Sequence, residues 1–249
     1  MRVGLIGNTE LTSKGLELLI DQGHEVDYVF GLEQRSLKNK VNASDLKAYC
    51  LEQNIEFIEG GRRFAYISQR DVDLVIALGD SRLIPVDTFR SKVIGNHGAP
   101  LPDVKGGASL VWARIINYGF WGVSLMVLDE ELDSGEILGV TKFEYSKDMN
   151  MEDFVSLCDD ETIKLLDQYL NNTISRPHQQ NEATVITVKK HTDSELVEKI
   201  AKFAMEAKCS IYLPPRTPED SIIKDSWSEE FKQKFMIAND HPYPEYKYE

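Results

Sequence analysis

The sequence predicts an α/β protein with a mostly parallel sheet, helices on both faces of that sheet, and a small C-terminal α+β region. Two observations predict this class. Apolar runs of strand length alternate with helical patterns through the first half of the chain. The apolar runs contain almost no polar residues, which is typical of strands buried on both faces of a parallel sheet.

The first three elements predict a β-α-β unit. Residues 3–6 are an apolar run that predicts a strand, and residues 26–30 predict a second strand. Between them, residues 13–22 place Leu16, Leu19 and Ile20 on one helical face. Neighbouring parallel strands joined by a helix are the repeating unit of a Rossmann-like sheet.

The alternation continues toward the middle of the chain. Asn42 or Ser44 is suited to cap a helix that ends at Asn54. Residues 55–58 predict a third strand, and the segment 73–79, DLVIALG, predicts a fully buried fourth strand that ends in glycine.

A fifth strand at residues 93–95 leads directly into Asn96 and His97. The next eleven residues, 98–108, are rich in glycine and proline and predict irregular structure. The elements expected after them are a helix at 109–118, strands at 122–128 and 137–143, an acidic stretch at 129–133, and a helix from Met151 to about Tyr169.

The last part of the chain is expected to form a separate small domain. The polar interval 171–183 predicts a linker, which gives a first domain at 1–180 and a second at 181–249. The second domain is expected to contain a short strand at 184–188 and a helix at 193–208. The apolar residues Phe203, Ile211 and Tyr212 need cover in so small a unit, which predicts a homodimer formed by this part.

Composition limits the classes of function. The formal net charge of −13 disfavours a nucleic-acid partner, because polyanions are repelled. The start lacks a signal-peptide pattern and no apolar run reaches membrane-span length, so we expect a cytoplasmic protein with no membrane partner. The three cysteines, Cys50, Cys158 and Cys209, lack close Cys or His partners and predict no metal site.

The most informative window is residues 93–138, VIGNHGAPLPDVKGGASLVWARIINYGFWGVSLMVLDEELDSGEIL. Its order of strand, Asn-His, Leu-Pro loop, Gly-Gly, helix, strand and Leu-Asp-Ser-Gly-Glu-Ile-Leu resembles the catalytic domain of the formyltetrahydrofolate-dependent formyltransferases. The resemblance covers about residues 1–145 well. Within this family the short, acidic chain favours a small acceptor over tRNA, and it most resembles the members that formylate nucleotide-linked amino sugars.

The resemblance implies a catalytic set of Asn96, His97 and Asp133. A substrate amine must lose a proton as it attacks the formyl carbon, and negative charge builds on the formyl oxygen. His97 suits either the base or the oxyanion partner, Asp133 suits the orientation of the imidazole, and Asn96 is the nearest amide donor. The family pattern has its asparagine two residues before the histidine, where this sequence has Gly95. Asn96 then shares a site with His97 only if the strand is irregular.

The resemblance also implies which segments bind the substrates. The donor, 10-formyltetrahydrofolate, is expected at two segments, which comprise Leu78, Gly79, Asp80, Leu128, Asp129, Glu130 and Glu131. The acceptor is expected at Asn8, Lys105, Gly106 and Gly107. Gly106 and Gly107 are equally well explained as the start of the following helix.

The expected function is therefore transfer of a formyl group to the amine of a nucleotide-linked amino-deoxy sugar, of the kind used for O-antigen or surface polysaccharide. Three alternatives remain open. The first is a formyltransferase for another small amine. The second is a formyltransferase-like protein that binds folate or a nucleotide sugar without catalysis, and the third is a hydrolase that releases formate. A nicotinamide cofactor is not expected, because the first turn lacks the full G-x-G-x-x-G pattern.

Overall fold

The computed structural model describes residues 1–33, 36, 43–174, 178–180, 184–243 and 246–249. The strands of this part of the chain are β1 (Arg2–Ile6), β2 (Glu25–Gly31), β3 (Glu56–Glu59), β4 (Leu74–Ala77), β5 (Lys92–His97), β6 (Val104–Gly106), β7 (Phe120–Val127), β8 (Ile137–Glu144), β9 (Val185–Thr187), β10 (Ser210–Leu213), β11 (Ile222–Ile223) and β12 (Lys247–Tyr248). Its helices are α1 (Glu10–Asp21), α2 (Leu46–Glu52), α3 (Ser109–Ile116), α4 (Met151–Leu170), α5 (Ser194–Glu206) and α6 (Glu229–Ala238).

The main sheet has seven strands in the order β3-β2-β1-β4-β5-β7-β8. The pairs β3-β2, β2-β1, β1-β4 and β4-β5 are parallel. Strand β1 lies between β2 and β4, and its residues Val3, Leu5 and Ile6 are fully buried. The predicted α/β class with a mostly parallel sheet is confirmed.

Two helix starts differ from the predicted ones. Helix α1 begins at Glu10, because the Thr12 hydroxyl accepts a hydrogen bond from the Thr9 amide at 3.0 Å and closes the first turn earlier than apolar periodicity indicates. Helix α2 begins at Leu46, and its cap is Asp45, whose carboxylate accepts a bond from the Lys47 amide. Ser44 is therefore not the cap, and Asn42 lies outside the described residues.

The expectation of irregular structure throughout residues 98–108 was wrong for Val104–Gly106, which forms β6. This strand pairs in parallel with β10, matching Val104 to Ile211 and Gly106 to Leu213. A partner more than a hundred residues away cannot be read from local composition.

Helix α6 was not predicted, although its pattern is present in the sequence. Phe231, Phe235 and Ala238 recur at helical spacing and are buried. Ser228 caps the helix by accepting a hydrogen bond from the Phe231 amide. A search for a capping residue before an apolar stripe would have found this helix.

The chain divides into two compact units. The first consists of Met1–Asn96, Leu125–Gly139 and Thr162–His178. Its core includes a cluster on one side of the parallel strands, formed by Ile6, Tyr28, Phe30, Phe64, Ile67, Val72, Val75, Ala77, Ile84 and Val93.

The second unit consists of His97–Ser124, Val140–Glu161 and Gln179–Glu249. It contains a three-stranded sheet in the order β6-β10-β9. Beside it, the Arg216 guanidinium stacks between the rings of Trp112 and Phe235, 4.9 and 5.2 Å from their centroids. Burial lowers the pKa of Arg216 to about 10. The domain boundary expected near residue 180 stays a prediction.

Candidate active site

The turn that follows β4 contains the first predicted donor-binding residues. Leu78 is fully buried, and its carbonyl oxygen accepts a hydrogen bond from the Thr12 hydroxyl at 2.8 Å. Gly79 has a φ of +61°, and a Cβ added there would lie 1.8 Å from the Thr9 hydroxyl oxygen. Glycine is therefore required at 79, because both the backbone conformation and the nearby start of α1 exclude a side chain.

Asp80, the third residue of this turn, forms a buried ion pair with Arg82. The Arg82 Nε lies 2.9 Å from each carboxylate oxygen, and the two side chains are 1% and 7% exposed. The guanidinium also lies over the rings of Phe30 and Phe64, 5.1 and 5.2 Å from their centroids. The side chain of Asp80 therefore shapes the turn.

Asn96 lies near the end of β5, where its side chain contacts the same turn. The Oδ1 of Asn96 accepts a hydrogen bond from the Gly79 amide at 3.0 Å. Since the oxygen of the carboxamide is used in this way, its Nδ2 group is the end that offers hydrogens to other groups.

Strand β5 pairs with β4 in regular register from Lys92 to Gly95 and includes Asn96 and His97. Adjacent residues of an extended strand point to opposite faces. The strand irregularity that would bring Asn96 and His97 to one site is therefore not present in the paired part of β5.

His97 is the last residue of β5 and is 7% exposed. Its Nε2 lies 3.2 Å from the carbonyl oxygen of Val104. A carbonyl oxygen only accepts hydrogen bonds, so Nε2 carries the hydrogen in this arrangement. The basic nitrogen of the neutral ring is then Nδ1, which the sequence alone does not indicate.

The acidic stretch after β7 forms a tight turn. The Oδ1 of Asp129 accepts hydrogen bonds from the Glu131 amide at 2.9 Å and the Ser134 hydroxyl at 2.6 Å. Asp129, Glu130 and Glu131 are exposed. Within this turn, Asp129 binds the backbone of its own loop.

Asp133 differs from its acidic neighbours, because it is 9% exposed and has a left-handed backbone with φ of +56°. A non-glycine residue in this region is uncommon, and such strain is concentrated at functional sites. A Cβ at the next glycine, Gly135, would lie 1.8 Å from the Val127 carbonyl oxygen, so the chain turns sharply here. These properties are consistent with the predicted catalytic role, which they do not test.

The first unit brings the two predicted donor-binding segments to the same end of β5. Gly79 binds Asn96 from the β4 side. From the other side, the Leu128 amide donates to the Val93 carbonyl at 2.9 Å, and a Cβ on Gly95 would lie 2.9 Å from the Leu128 side chain. Leu128 and Gly79 therefore both pack against Gly95–Asn96.

Asn8, predicted to contact the acceptor, is fully buried just after β1. Its Oδ1 accepts a hydrogen bond from the Leu32 amide, and its carbonyl accepts one from the Ser44 amide at 2.9 Å. Its Nδ2 is buried and has no hydrogen-bond partner among the described residues. An unsatisfied buried donor costs about 1–3 kcal/mol, so this group requires an explanation.

Lys105, Gly106 and Gly107 lie at β6 in the second unit. Gly106 has a φ of +102°, and a Cβ there would lie 2.0 Å from the Leu213 carbonyl oxygen. A Cβ added to Gly107 would lie 3.0 Å from the Cα of Pro215. Both glycines therefore have a packing role, because they permit the close approach of β6 and the segment after β10. Their predicted contact with the acceptor stays a prediction.

Sequence reasoning missed Thr12, Arg82 and Ser124, which hold the segments that carry the candidate residues. Asp80 and Arg82 are two residues apart, and this spacing after a glycine was a usable indication of a local ion pair. Thr12 is the third residue of α1 after Thr9, a spacing typical of reciprocal capping. Ser124 lies within an apolar strand, and only its tertiary contacts distinguish it.

In the part of the chain that the structure covers, no helix is both long and apolar enough to cross a membrane. The same residues contain no cluster of three or more His, Cys, Asp or Glu side chains arranged to hold a metal ion.

No family model matches the chain. Its curated relatives include the methionyl-tRNA formyltransferase of Prochlorococcus marinus, 26% identical over 177 residues that cover 67% of this chain and 54% of the relative. A second is the methionyl-tRNA formyltransferase of Mycoplasma genitalium, 29% identical over 161 residues that cover 61% of this chain and 52% of the relative. The chain spans about half the length of these relatives.

Among solved structures, a similar fold is found in the N-formyltransferase of Helicobacter canadensis in complex with folinic acid and dTDP-3-aminofucose. The TM-score is 0.67 at 17% identity, and the match covers 95% of this chain and 79% of the other. This likeness confirms the fold. The relatives found by sequence and by structure include formyltransferases, and their acceptors differ.

Proposed function

We propose that the chain is an N-formyltransferase that moves the formyl group of 10-formyltetrahydrofolate to the amine of a nucleotide-linked amino-deoxy sugar. The observation that carries this proposal is the packing of both predicted donor-binding segments against the end of β5 that carries Asn96. The next residue of the strand is His97. The named relatives support the same chemistry, because they are formyltransferases.

The donor is assigned to Leu78, Gly79 and Asp80 after β4, and to Leu128, Asp129, Glu130 and Glu131 after β7. The pterin ring of a folate carries several N–H donors, which backbone carbonyls and carboxylates can accept. The exposed Glu130 and Glu131 and the backbone of both turns suit such a ring. The turn at Gly79 is held by the bond to Asn96 and by the ion pair of Asp80 with Arg82, and such preorganisation lowers the entropic cost of binding.

His97 is assigned the proton transfer. The acceptor amine attacks the formyl carbon, and its surplus proton passes to Nδ1 of His97, because Nε2 is held by Val104. The bond from the formyl carbon to N10 of the folate then breaks, and N10 takes up the proton. The products are the formylated amine and tetrahydrofolate.

Asp133 and Asn96 are assigned the supporting roles. A carboxylate stabilises the charged imidazole, which is the role we propose for the buried Asp133. Asn96 is proposed to donate from Nδ2 to the developing oxyanion, because Gly79 already binds its oxygen. This role requires the backbone to turn after Gly95, the last residue of β5 that pairs with β4.

On the acceptor side, we assign Asn8 together with Lys105, Gly106 and Gly107. Within the part of the chain that the structure describes, the buried Nδ2 of Asn8 has no partner, and a hydrogen-bond acceptor on a ligand would remove that cost. Lys105 supplies positive charge suited to a diphosphate. The formal charge of −13 favours a small acceptor over tRNA, and the dTDP-sugar complex of a structural relative supports the same choice.

Methionyl-tRNA is the second candidate acceptor, because the curated sequence relatives are methionyl-tRNA formyltransferases. The decisive experiment incubates the protein with 10-formyltetrahydrofolate and separate acceptors: amino sugars linked to different nucleotides, methionyl-tRNA, and water alone. Formylated sugar is the expected product. Formylated methionyl-tRNA would replace the acceptor assignment, and formate released without an acceptor would identify a hydrolase. Tight folate binding without any product would identify a non-catalytic binding protein.

The residue assignment is tested with His97→Ala against His241→Ala, an exposed histidine far along the sequence. Removing a general base lowers the rate about 10²- to 10⁴-fold, so kcat should fall by at least a hundredfold for His97→Ala and stay unchanged for His241→Ala. Near-normal turnover by His97→Ala would remove this histidine from the mechanism.

A cytoplasmic homodimer remains part of the proposal. In α5 of the second unit, Leu196 and Phe203 are 50% and 63% exposed, whereas Ile211 is already buried within that unit. The surface that needs cover is therefore on α5. Sedimentation of the parent and of a Phe203→Ser variant tests this surface. The parent should be dimeric, and the variant should dissociate at a protein concentration at which the parent is still a dimer.

A further inference from the structure

The loop between His97 and β6 is held at its middle by one buried hydroxyl. Ser124, in β7, is fully buried. Its Oγ accepts a hydrogen bond from the Leu101 amide at 2.8 Å and donates one to the Ala99 carbonyl at 2.7 Å. The single hydroxyl hydrogen is committed to Ala99, because the Leu101 amide can only donate.

Two further bonds tie the same loop in place. The indole Nε1 of Trp121 donates to the Gly98 carbonyl at 2.8 Å, and the Val104 amide donates to the Pro100 carbonyl at 3.0 Å. The loop is therefore fixed from Gly98 to Val104, and Ser124 bonds both sides of Pro100. Its far end, Val104, supplies the carbonyl that accepts from His97 Nε2.

We propose that Ser124 is a positioning residue for His97. By holding the 98–104 loop, it keeps the Val104 carbonyl where it binds the Nε2 hydrogen and leaves Nδ1 as the basic nitrogen. The tautomer of His97 is thus set by a hydroxyl that acts through the backbone of the loop. The catalytic consequence rests on the proposed function, but the tautomer can be measured without any turnover.

The test combines Ser124→Ala with Ser124→Thr, which keeps the hydroxyl. Ser124→Cys, which keeps the volume of the side chain, is included in case the alanine variant does not fold. Ser91→Ala is the matched control, since the Ser91 hydroxyl also donates to a buried backbone carbonyl, that of Val72. The first readout is the ¹⁵N spectrum of the imidazole, assigned by its loss in His97→Asn. We expect the Nε2-H tautomer in the parent, Ser124→Thr and Ser91→Ala, and a mixture with Nδ1-H in Ser124→Ala and Ser124→Cys.

The second readout is kinetic. A small misplacement of a catalytic group costs up to about a hundredfold, so kcat should fall about tenfold or more in Ser124→Ala with the KM of both substrates changed less than about twofold. Ser124→Thr should restore kcat. In a His97→Ala background, Ser124→Ala should add little, because the residue it positions is absent.

Each outcome decides the proposal. An Nδ1-H tautomer in the parent overturns it, and so does a tautomer unchanged in both Ser124→Ala and Ser124→Cys. A loss of kcat that persists in the His97→Ala background also overturns it, since Ser124 would then act by another route. If the parent shows no formyl transfer but the tautomer shifts as expected, the proposed function fails and the positioning role of Ser124 stands.

Discussion

Replacing Gly79 with alanine tests the geometry of the turn after β4. The φ of +61° places any L-residue in the left-handed region, which costs about 1–2 kcal/mol. The new Cβ would also lie 1.8 Å from the Thr9 hydroxyl, so that side chain must rotate away from the first turn of α1. Losing such a cap contact costs about 0.5–2 kcal/mol. We therefore expect Gly79→Ala to lower the free energy of unfolding by about 1.5–4 kcal/mol.

Gly23 provides the matched control for this prediction. It has a φ of +72°, and a Cβ added there meets nothing within 4 Å. Gly23→Ala should therefore carry only the backbone cost of about 1–2 kcal/mol. Urea unfolding monitored by circular dichroism measures both variants, and an unchanged m value licenses the comparison.

The steric part of the cost can be isolated with Thr9→Ala. This variant removes the hydroxyl, after which the nearest atom to the new Cβ is the Cβ of residue 9 at 3.0 Å. In that background, Gly79→Ala should cost about as much as Gly23→Ala, because neighbouring substitutions are not additive. If Gly79→Ala costs no more than Gly23→Ala in the parent protein, the close packing of the turn against α1 is refuted.

Two other predictions concern the second unit and the cysteines. Arg216→Ala should lower the free energy of unfolding by about 2–4 kcal/mol, because the guanidinium donates to the Asp220 carbonyl at 2.7 Å and to Asn239 Oδ1 at 3.1 Å, and it also stacks on Trp112. Urea unfolding measures this loss, and a value below about 0.5 kcal/mol would contradict the packing. Burial raises the pKa of the Cys50 thiol to about 11 and that of the Cys158 thiol well above its usual range. Iodoacetamide at about pH 8 should therefore label only Cys209 in the folded protein, and all three cysteines in urea. Mass spectrometry counts the adducts, and rapid labelling of Cys50 before unfolding would contradict its burial.

The succession of strands and helices could be predicted because burial leaves a periodic pattern in each segment. The runs at 3–6 and 26–30 correspond to β1 and β2, and the apolar face with Leu16 and Leu19 corresponds to α1. Boundaries were less accurate where a polar side chain decides them. Thr12 at the start of α1 and Asp45 before α2 act through single hydrogen bonds, which apolar periodicity does not reveal.

Within the candidate site, the order of residues was visible but their bonding was not. The family resemblance indicated Gly79 and Asn96 separately, and the structure joins them by a hydrogen bond of 3.0 Å. It also pairs Asp80 with Arg82, which gives a predicted ligand-binding side chain a role within its own turn.

The sequence by itself determined the α/β class and the parallel character of the sheet, because periodicity is a local property, and its resemblance to a known family selected His97 and Asp133 as candidates. Only the tertiary structure decided that β6 pairs with β10, that Asn8 buries an unpaired donor, and that the Val104 carbonyl selects the hydrogen on His97 Nε2. These contacts depend on where the backbone places a partner group in space. The β10 partner of β6 lies more than a hundred residues away along the chain, and the His97 bond depends on a loop held by Ser124 of another strand.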